Sequence, residues 1–298
     1  MTEWAPAKIN VCLFVGGTRA ADGRHELVSV MQAVDLADDL RLAPATTQAD
    51  EVHCRGVDGP NIVTAAIAAF RARTGWDGPP VAIHVTKRIP VAAGMAGGSA
   101  DAAAALRLLA RHVHHGGQGV RMDVSAEVLR EIAAGLGADV PAQVVPGRWL
   151  ATGAGEDVAP LAPVWPLVSV LVLPGEGALR TPDVYAELDR LGLPRAADDL
   201  AARLAEVRAA TSRRPGGLPG ELIVNDLQPA ALSLMPSIGQ ALAHVGDAGA
   251  DHALVSGSGP TVLGLFSDAA AARTAAQALR RHHPRLMLAG PVAAAARR

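Results

Sequence analysis

Aromatic side chains are scarce in this chain of 298 residues, which has one tyrosine, three phenylalanines and four tryptophans. Its hydrophobic content is nevertheless 50%, so the core must be packed mainly from aliphatic side chains. A chain of this length and content can bury the core of one large domain or two moderate ones. The few rings stand out against this background, above all the single tyrosine, Tyr185.

Cysteine is also scarce, and excess charge and long hydrophobic runs are missing. Cys12 and Cys54 are too few for a disulfide framework and lack metal-ligand spacing, so we expect buried thiols in a reducing compartment. A net charge of −2 excludes a basic field that would recruit nucleic acid or an anionic membrane. The most hydrophobic run, residues 167–173, is too short to cross a bilayer, and no basic segment followed by an apolar run is visible near the start. We expect a cytoplasmic protein that binds neither nucleic acid nor membranes.

Two kinds of hydrophobic pattern alternate along the sequence and predict a mixed α and β protein. Runs of valine, leucine and isoleucine predict strands at residues 9–15, 27–36, 81–85, 168–173 and 263–266. Helical patterns cover residues 62–73, 125–134, 182–191, 197–209, 228–243 and 268–281, and a further helix follows the glycines near residue 98. A stretch rich in glycine and proline at residues 153–166 predicts a boundary between two domains, 1–160 and 161–298.

The most informative segment is a loop of small residues that runs directly into a helix-forming sequence. Tight turns and a close approach to a ligand are allowed by Gly94, Ala96, Gly97 and Gly98. The free N–H groups and positive end of the following helix make such a junction an anion site, and polyphosphate is its natural ligand. Ser99 is placed to cap the helix, or to contact a phosphate or its metal.

This loop differs from both common nucleotide-binding fingerprints. No Lys-Ser or Lys-Thr pair follows the glycines, as in a P-loop, and their spacing is not that of a dinucleotide-binding loop. The same residues would also suit an ordinary strand-to-helix turn, so the loop by itself leaves both interpretations open. A nicotinamide-dependent dehydrogenase is disfavoured, because no acidic residue is evident at a strand end about 20 residues later.

Together with four further motifs, the loop resembles the GHMP kinases, named for galactokinase, homoserine kinase, mevalonate kinase and phosphomevalonate kinase. The other motifs lie at residues 5–10, 21–27, 137–141 and 256–261. Their order and content are similar to the branch of the superfamily that acts on 4-diphosphocytidyl-2-C-methyl-D-erythritol in the non-mevalonate isoprenoid pathway. The resemblance covers residues 4–266.

The resemblance implies an α+β fold, in a two-layer α/β arrangement, with an N-terminal domain like domain 2 of ribosomal protein S5 and a ferredoxin-like C-terminal domain. It implies an enzyme, an ATP-dependent kinase that phosphorylates the 2-hydroxyl of a cytidine diphosphate alcohol. Mg²⁺ bound to ATP is the implied cofactor, with no metal ligand assigned to the protein. The ATP-binding residues implied are Gly94, Ala96, Gly97, Gly98, Ser99 and Ala100 in the loop, and Asn61 and Lys87 near the adenine.

Phosphoryl transfer to an alcohol needs a proton acceptor and positive charge near the reacting oxygen. The resemblance makes Asp139 the proton acceptor, although an aspartate before Val140-Pro141 would also suit a turn. It places Lys8 beside that carboxylate, where its charge keeps the aspartate ionised and lowers the pKa of the acceptor hydroxyl. Asn10, on the same strand face as Lys8, would bind the substrate. A solvated lysine and an ordinary polar strand residue are the alternatives.

The motif at residues 21–27 is implied to bind the cytosine. His25 corresponds to the histidine that contacts the base, whereas Arg24 stands where the family usually has an aromatic residue, so a guanidinium stacks there or the pocket is altered. Tyr185 falls at the position of the second aromatic residue, in a segment that begins at Thr181. A second loop, implied to flank the phosphates and the acceptor, contains Ser256, Gly257 and Ser258.

Two alternatives are another GHMP kinase, of the homoserine or mevalonate type, and a non-catalytic GHMP-fold protein that only binds a ligand. Asp22, Gly23 and His25 argue against the first, and the retained Lys8 and Asp139 argue against the second. Three histidines lack metal-ligand spacing on one helix face, and we expect them to be exposed: His112, His114 and His115.

Overall fold

The computed structural model of this chain describes residues 1–57, 59–116, 121–162, 169–212 and 217–292. Part of the predicted domain boundary, residues 163–166, and the start of the strand predicted at residue 168 lie outside these ranges. The strands are β1 (Thr2–Thr18), β2 (His25–Pro44), β3 (Glu51–Cys54), β4 (Val81–Thr86), β5 (Arg148–Thr152), β6 (Asp157–Pro160), β7 (Ser169–Leu173), β8 (His252–Val255), β9 (Val262–Phe266) and β10 (Met287–Ala289). The helices are α1 (Ile62–Thr74), α2 (Gly97–His114), α3 (Ala126–Ala134), α4 (Val140–Gln143), α5 (Thr181–Arg190), α6 (Ala197–Ser212), α7 (Gln228–Leu234), α8 (Ser237–Asp247) and α9 (Ala269–Leu279).

Two compact units interleave along the chain. The first unit is made of Met1–Ala7, Leu36–Ile89 and Ala96–Pro146, and the second of Lys8–Asp35, Pro90–Met95 and Gly147–Arg298. Strands β1 and β2 contribute residues to both units. These units are a different division of the chain from the two consecutive domains, 1–160 and 161–298, which stay a prediction.

In the first unit, helices pack beside a small group of strands. β4 pairs antiparallel with the end of β2, from Asp39 to Pro44, and parallel with β3. α2 packs against α1 and α4, and it is buried on most sides, with Ala102 to Ala105 fully inaccessible. Alanine explains this arrangement, because it has the highest helix propensity and its methyl group lets neighbouring elements approach closely.

Helix ends in the first unit follow the sequence signals. Asn61 caps α1 by accepting a hydrogen bond from the N–H of Val63 at 2.9 Å, and Gly75 ends that helix in the left-handed conformation, with φ of 70°. Ser125 caps α3 through the N–H of Val128. The helices predicted at residues 62–73 and 125–134 are therefore confirmed to within one residue.

In the second unit, the described residues include two groups of antiparallel strands. Ser29–Gln32 of β2 pairs with β5, which pairs with β6. The other sheet has the order β10-β7-β9-β8, with every pair antiparallel. Helices α5 to α8 connect β7 to β8, and α9 connects β9 to β10, which is the βαββαβ succession of a ferredoxin-like domain. The predicted α+β fold class is confirmed.

One predicted helix, at residues 228–243, is divided into α7 and α8. The break lies at Met235 and Pro236, where proline lacks the N–H that a continuous helix needs. Within the described residues, no helix combines the length and the apolar character required to cross a bilayer.

Candidate functional site

The start of α2, in the first unit, is built to receive an anion. Ala96 precedes the helix in the left-handed conformation, with φ of 53° and ψ of 37°, and has no side chain able to cap it. The N–H of Ala100 donates to the Ala96 carbonyl at 2.9 Å, so the N–H groups of Gly97, Gly98 and Ser99 precede the first intrahelical bond and point out of the helix start. Ser99 lies in the first turn, so the expectation that it caps the helix is wrong. Its contact with a phosphate stays a prediction.

The two glycines at this helix start have different surroundings. A Cβ atom at Gly97 would lie 3.1 Å from Cγ2 of Ile89 and 3.3 Å from Nζ of Lys87, closer than ordinary contact. At Gly98 the nearest atom, Cγ2 of Ile62, would be 3.7 Å away, an ordinary van der Waals distance. The fold therefore restricts side chains at Gly97 much more than at Gly98.

Lys87 lies beside this helix start between two buried carboxylates. Its Nζ donates to Oδ2 of Asp38 and, at 2.7 Å, to Oδ2 of Asp101. Asp38 also accepts hydrogen bonds from the backbone N–H groups of Arg88 and Ile89. Burial alone would lower the pKa of Lys87, but the two carboxylates outweigh it and raise that pKa. The ammonium group is therefore kept charged and fixed in place.

The same cluster changes the titration of Asp101. Its burial raises the pKa of this carboxyl, the charge of Lys87 opposes the rise, and the neighbouring Asp38 carboxylate adds to it. We did not predict either aspartate from the sequence. Neither carried a clear signal, since Asp38 is one of several charged residues near the end of β2 and Asp101 resembles any polar residue in the first turns of a helix.

Asn61 and the two cysteines lie in structural positions. The side-chain oxygen Oδ1 of Asn61 caps α1, and the same side chain also interacts with the thiol of Cys54. Its contact with adenine stays a prediction. Burial raises the pKa of Cys12 to about 12, as for an inert core thiol. Cys54 is only half-buried, so the expectation of a buried thiol is confirmed for Cys12 and wrong for Cys54.

Asp139 immediately precedes α4 in the first unit and is half-buried. Its backbone is helical, with φ of −84° and ψ of −15°, and its side chain does not cap α4. Asp139 lies in a turn, so the alternative of an aspartate that suits a turn stays open. Its role as proton acceptor stays a prediction.

In the second unit, Lys8 and Asn10 share one face of β1, as the two-residue period of a strand requires. Lys8 is only 7% exposed, and its Nζ donates to Oδ1 of Asn10 at 2.9 Å. Nδ2 of Asn10 donates to Oγ of Ser29 at 2.7 Å, and this hydroxyl donates to the Cys12 carbonyl at 2.7 Å. The alternative of a solvated lysine is wrong, because a chain of hydrogen bonds fixes a buried ammonium group.

Two loops of the second unit meet at Asn10. Gly94 has φ of 70°, and a Cβ atom there would lie 2.0 Å from the Ser256 carbonyl oxygen, so only glycine fits. Oγ of Ser256 donates to the Gly94 carbonyl at 3.1 Å. A Cβ atom at Gly257 would lie 3.1 Å from the Gly94 carbonyl oxygen and 3.5 Å from Oδ1 of Asn10. The structure thus brings together Gly94, Ser256, Gly257 and Asn10.

The loop of Ser256, Gly257 and Ser258 is hydrogen-bonded to Asn225 and contacts the start of α5. Nδ2 of Asn225 donates to the carbonyls of Val255 and Gly257 at 2.8 and 2.7 Å. The hydroxyls of Ser258 and Thr181 are 2.9 Å apart and share a hydrogen bond. Asn225 was not predicted, because a loop-supporting asparagine distant in sequence leaves no local pattern.

His25 and Tyr185, both expected at the cytosine, lie against each other. Their ring centroids are 5.0 Å apart, and the ring planes are inclined at 37°. Nε2 of His25 is 2.8 Å from Oδ1 of Asp189, one helical turn after Tyr185 on α5. His25 is buried and Tyr185 half-buried.

Arg24 takes part in a surface network of charges. Its guanidinium is 2.8 Å from Oδ2 of Asp22 and 3.4 Å from Oε1 of Glu156, and Arg19 pairs with the same two carboxylates. Hydrogen bonds from Arg19 and then Arg24 hold the pKa of Asp22 well below its usual range. Stacking of Arg24 on a base stays a prediction.

The expectation of three exposed histidines is wrong for two of them. His112 and His114 are half-buried, and His115 is exposed. His112 packs edge-on against Trp76, with ring centroids 5.7 Å apart, and its burial lowers its pKa. His112 is partly covered because it packs on Trp76, in the segment after α1.

Comparison with known proteins agrees with these features. The model of the GHMP kinase N-terminal domain matches residues 61–147, and that of the GHMP kinase C-terminal domain matches residues 207–285. The 4-diphosphocytidyl-2-C-methyl-D-erythritol kinase of Streptomyces coelicolor is 43% identical, over 94% of this chain and 92% of its own length. That of Thermobifida fusca is 42% identical over 94% of this chain and 91% of its own length.

Solved structures give the same result. The crystal structure of a 4-(cytidine 5'-diphospho)-2C-methyl-D-erythritol kinase matches with a TM-score of 0.75 and 31% identity, covering 98% of each chain. A homoserine kinase from Cytophaga hutchinsonii matches with a TM-score of 0.73, but at 18% identity, over 99% of this chain and 96% of its own, so it shares only the fold. From these matches, the chain belongs to the 4-diphosphocytidyl-2-C-methyl-D-erythritol kinase family of GHMP kinases.

Proposed function

We propose that this protein transfers the γ-phosphoryl group of ATP to the 2-hydroxyl of 4-diphosphocytidyl-2-C-methyl-D-erythritol. It is a phosphotransferase with an alcohol as acceptor, in the non-mevalonate route to isoprenoids. The observation that carries the proposal is the start of α2, where left-handed Ala96 and two glycines leave three N–H groups directed outward. Preorganised donors of this kind stabilise the charge of a transferring phosphoryl group.

The residues at the start of α2 supply the nucleotide contacts. The N–H groups of Gly97, Gly98 and Ser99 bind phosphate oxygens. Lys87, whose ammonium group is fixed between Asp38 and Asp101, lies near the adenine together with Asn61. Mg²⁺ enters with ATP, since it prefers phosphate oxygens and water to a protein cage, and it neutralises charge on the phosphates when bound. The Ser99 hydroxyl in the first turn of α2 is an oxygen donor of the kind that this ion accepts.

In the chemical step, the 2-hydroxyl oxygen bonds to the γ-phosphorus while the bond from that phosphorus to the β–γ bridging oxygen breaks. ADP leaves with the electron pair of that bond, and the hydroxyl proton passes to the Asp139 carboxylate. A carboxylate is a weak base for an alcohol, but it suffices where the proton moves late in a loose transition state. The buried ammonium of Lys8 stabilises the negative charge that develops on the acceptor oxygen.

Residues of β1, β2, α5 and the loop after β8 supply the substrate contacts. His25 and Tyr185 bind the cytosine, one by its edge and the other by its face, and Asn10 binds the acceptor alcohol, as do the adjoining residues Ser256 and Gly257. The hydrogen-bonded hydroxyls of Thr181 and Ser258 take part in the same binding. A cytoplasmic location fits this reaction and the fully buried thiol of Cys12.

Purified protein with ATP and Mg²⁺ tests the proposal against a panel of acceptors. The panel contains 4-diphosphocytidyl-2-C-methyl-D-erythritol, other cytidine diphosphate alcohols, homoserine and mevalonate, with ADP release as the readout. We expect the highest kcat/KM with the methylerythritol compound. Preference for homoserine or mevalonate would overturn the assignment of substrate, and no turnover with any acceptor would overturn the assignment of a kinase.

A further inference from the structure

A carboxylate on α5 fixes the imidazole of His25. Oδ1 of Asp189 is 2.8 Å from Nε2 of His25, and the histidine side chain is only 8% exposed whereas that of Asp189 is 48% exposed. Tyr185 and Asp189 are four residues apart, so they lie on the same side of α5. One face of this helix therefore contacts both the ring plane and one ring nitrogen of His25.

This contact decides which ring nitrogen carries the proton. An ionised carboxylate has no hydrogen to donate, so Nε2 must carry the hydrogen of the bond between them. In a neutral imidazole the other nitrogen, Nδ1, then has only a lone pair and can only accept. With a neutral imidazole, the geometry thus makes His25 present an acceptor to whatever lies at its Nδ1.

We propose that Asp189 is a positioning residue that makes His25 select cytosine over uracil. The inference rests on the proposed function, in which His25 meets the base of the substrate. Cytosine carries an amino group at C4, which donates hydrogen bonds, whereas uracil carries a carbonyl oxygen there, which only accepts. The Nδ1 acceptor of His25 can accept a hydrogen bond from the amino group of cytosine. It cannot form one with the uracil oxygen, because both atoms are acceptors.

The test compares the cytidine substrate with its uridine counterpart in the parent and in Asp189→Asn. An asparagine offers both a donor and an acceptor, so it no longer dictates the tautomer of His25. We expect the ratio of kcat/KM for cytidine over uridine to fall about tenfold, near the lower end of what a base-edge hydrogen bond contributes to discrimination. The loss should be in KM for the cytidine substrate, with KM for ATP unchanged.

Two further variants separate positioning from structure. Asp189→Glu retains an acceptor on an exposed side chain and should keep most of the discrimination. Asp183→Asn removes a different aspartate of α5, one that faces Arg180 at 3.8 Å, and should leave the ratio unchanged. Circular dichroism and thermal unfolding of all variants establish that each is folded.

The outcomes are distinct for the two proposals. A parent that does not phosphorylate the cytidine substrate would refute the proposed function. A parent that does so, together with an unchanged cytidine-to-uridine ratio in Asp189→Asn, would refute only the role of Asp189. An equal fall in activity toward both substrates would also refute it, because a merely structural contact predicts that result.

Discussion

At the scale of single residues, Lys8 shows how a charge is kept inside a strand. An ammonium group that is 7% exposed loses most of its hydration, and this cost is offset by fixed polar partners such as Oδ1 of Asn10. Asn10 is itself held by Ser29, so the group that accepts from the ammonium is fixed in place. Such rigidity is what electrostatic stabilisation of a developing charge requires.

Lys8 and Asp139 are expected to contribute to the same step. Asp139→Asn should lower kcat by at least about a hundredfold, the usual scale for a lost general base. Lys8→Met, which keeps the volume of a buried side chain without its charge, should cause a similar loss. If both act on one proton transfer, the double variant should be little worse than either single variant.

The measurement is kcat from single-turnover kinetics, with the dissociation constant for ATP as control. Near-normal ATP binding in each folded variant would separate chemistry from binding. Losses that multiply in the double variant would contradict a shared step, and unchanged turnover in Asp139→Asn would remove it from the reaction.

Asp101 should make stability depend on pH. Burial raises the pKa of its carboxyl in the folded state, so between about pH 4 and neutrality the folded protein binds more protons than the unfolded chain. This contribution to stability is complete below the unfolded pKa and is lost as the pH rises through the folded value. Lys87 does not titrate in this range, because its pKa is raised.

Asp101→Asn should therefore flatten the pH dependence. Urea unfolding at pH 5 and pH 8 gives the free energy of unfolding of parent and variant, with Asp198→Asn, an exposed aspartate of α6, as control. We expect the parent to lose more stability than Asp101→Asn between the two pH values, and Asp198→Asn to behave as the parent does. Equal losses in parent and Asp101→Asn would contradict the buried titration.

Candidate residues that lie beside one another were predictable where residue type and motif coincide. Lys8, Asn10, His25 and Tyr185 were singled out from the sequence, and the structure pairs Lys8 with Asn10 and His25 with Tyr185. Their supporting partners, such as Asp189, were not. A side chain that acts by touching another residue far along the chain follows no local spacing rule.

At the scale of elements, the start of α2 is the part on which the proposed nucleotide binding depends. Gly97→Val should weaken ATP binding, because a Cβ atom there already meets Ile89 at 3.1 Å and a branched side chain restricts the backbone further. Gly98→Ala is the matched control, since its Cβ atom would meet Ile62 at an ordinary 3.7 Å. Isothermal titration calorimetry with ATP measures the affinity of both variants.

Circular dichroism must accompany this titration. A folded Gly97→Val protein with normal ATP affinity would contradict the role of the loop. Should Gly97→Val fail to fold, Gly97→Ala replaces it. We expect Gly97→Ala to lose less ATP affinity than Gly97→Val would, but more than Gly98→Ala.

Element prediction succeeded for helices with clear caps and failed for short strands. Asn61 and Ser125 lie at the starts of α1 and α3, and the glycine-rich loop marks α2. β3, β8 and β10 have three or four residues each and exist through pairing with distant strands, so their own sequences carried too little pattern. The predicted helix over residues 228–243 ignored Pro236, which ends it.

At the scale of the whole molecule, the few aromatic residues differ in how deeply they are buried. The three phenylalanines, Phe14, Phe70 and Phe266, are buried, whereas the one tyrosine is only half-buried. The fold class and the family were predictable because five motifs of the family occur in the same order in this chain. The interleaving of the two units was not, since it depends on how β1 and β2 pair along their lengths.

Phosphorus NMR of the reaction product tests the central claim most directly. The acceptor carbon of the proposed 2-hydroxyl is tertiary and bears no hydrogen, so a phosphate on that oxygen has no proton within three bonds. The account predicts a new phosphomonoester singlet, formed together with ADP from 4-diphosphocytidyl-2-C-methyl-D-erythritol and absent with Asp139→Asn over the same reaction time. A multiplet split by carbon-bound protons, which marks a primary or secondary hydroxyl, or no new phosphomonoester, would contradict it.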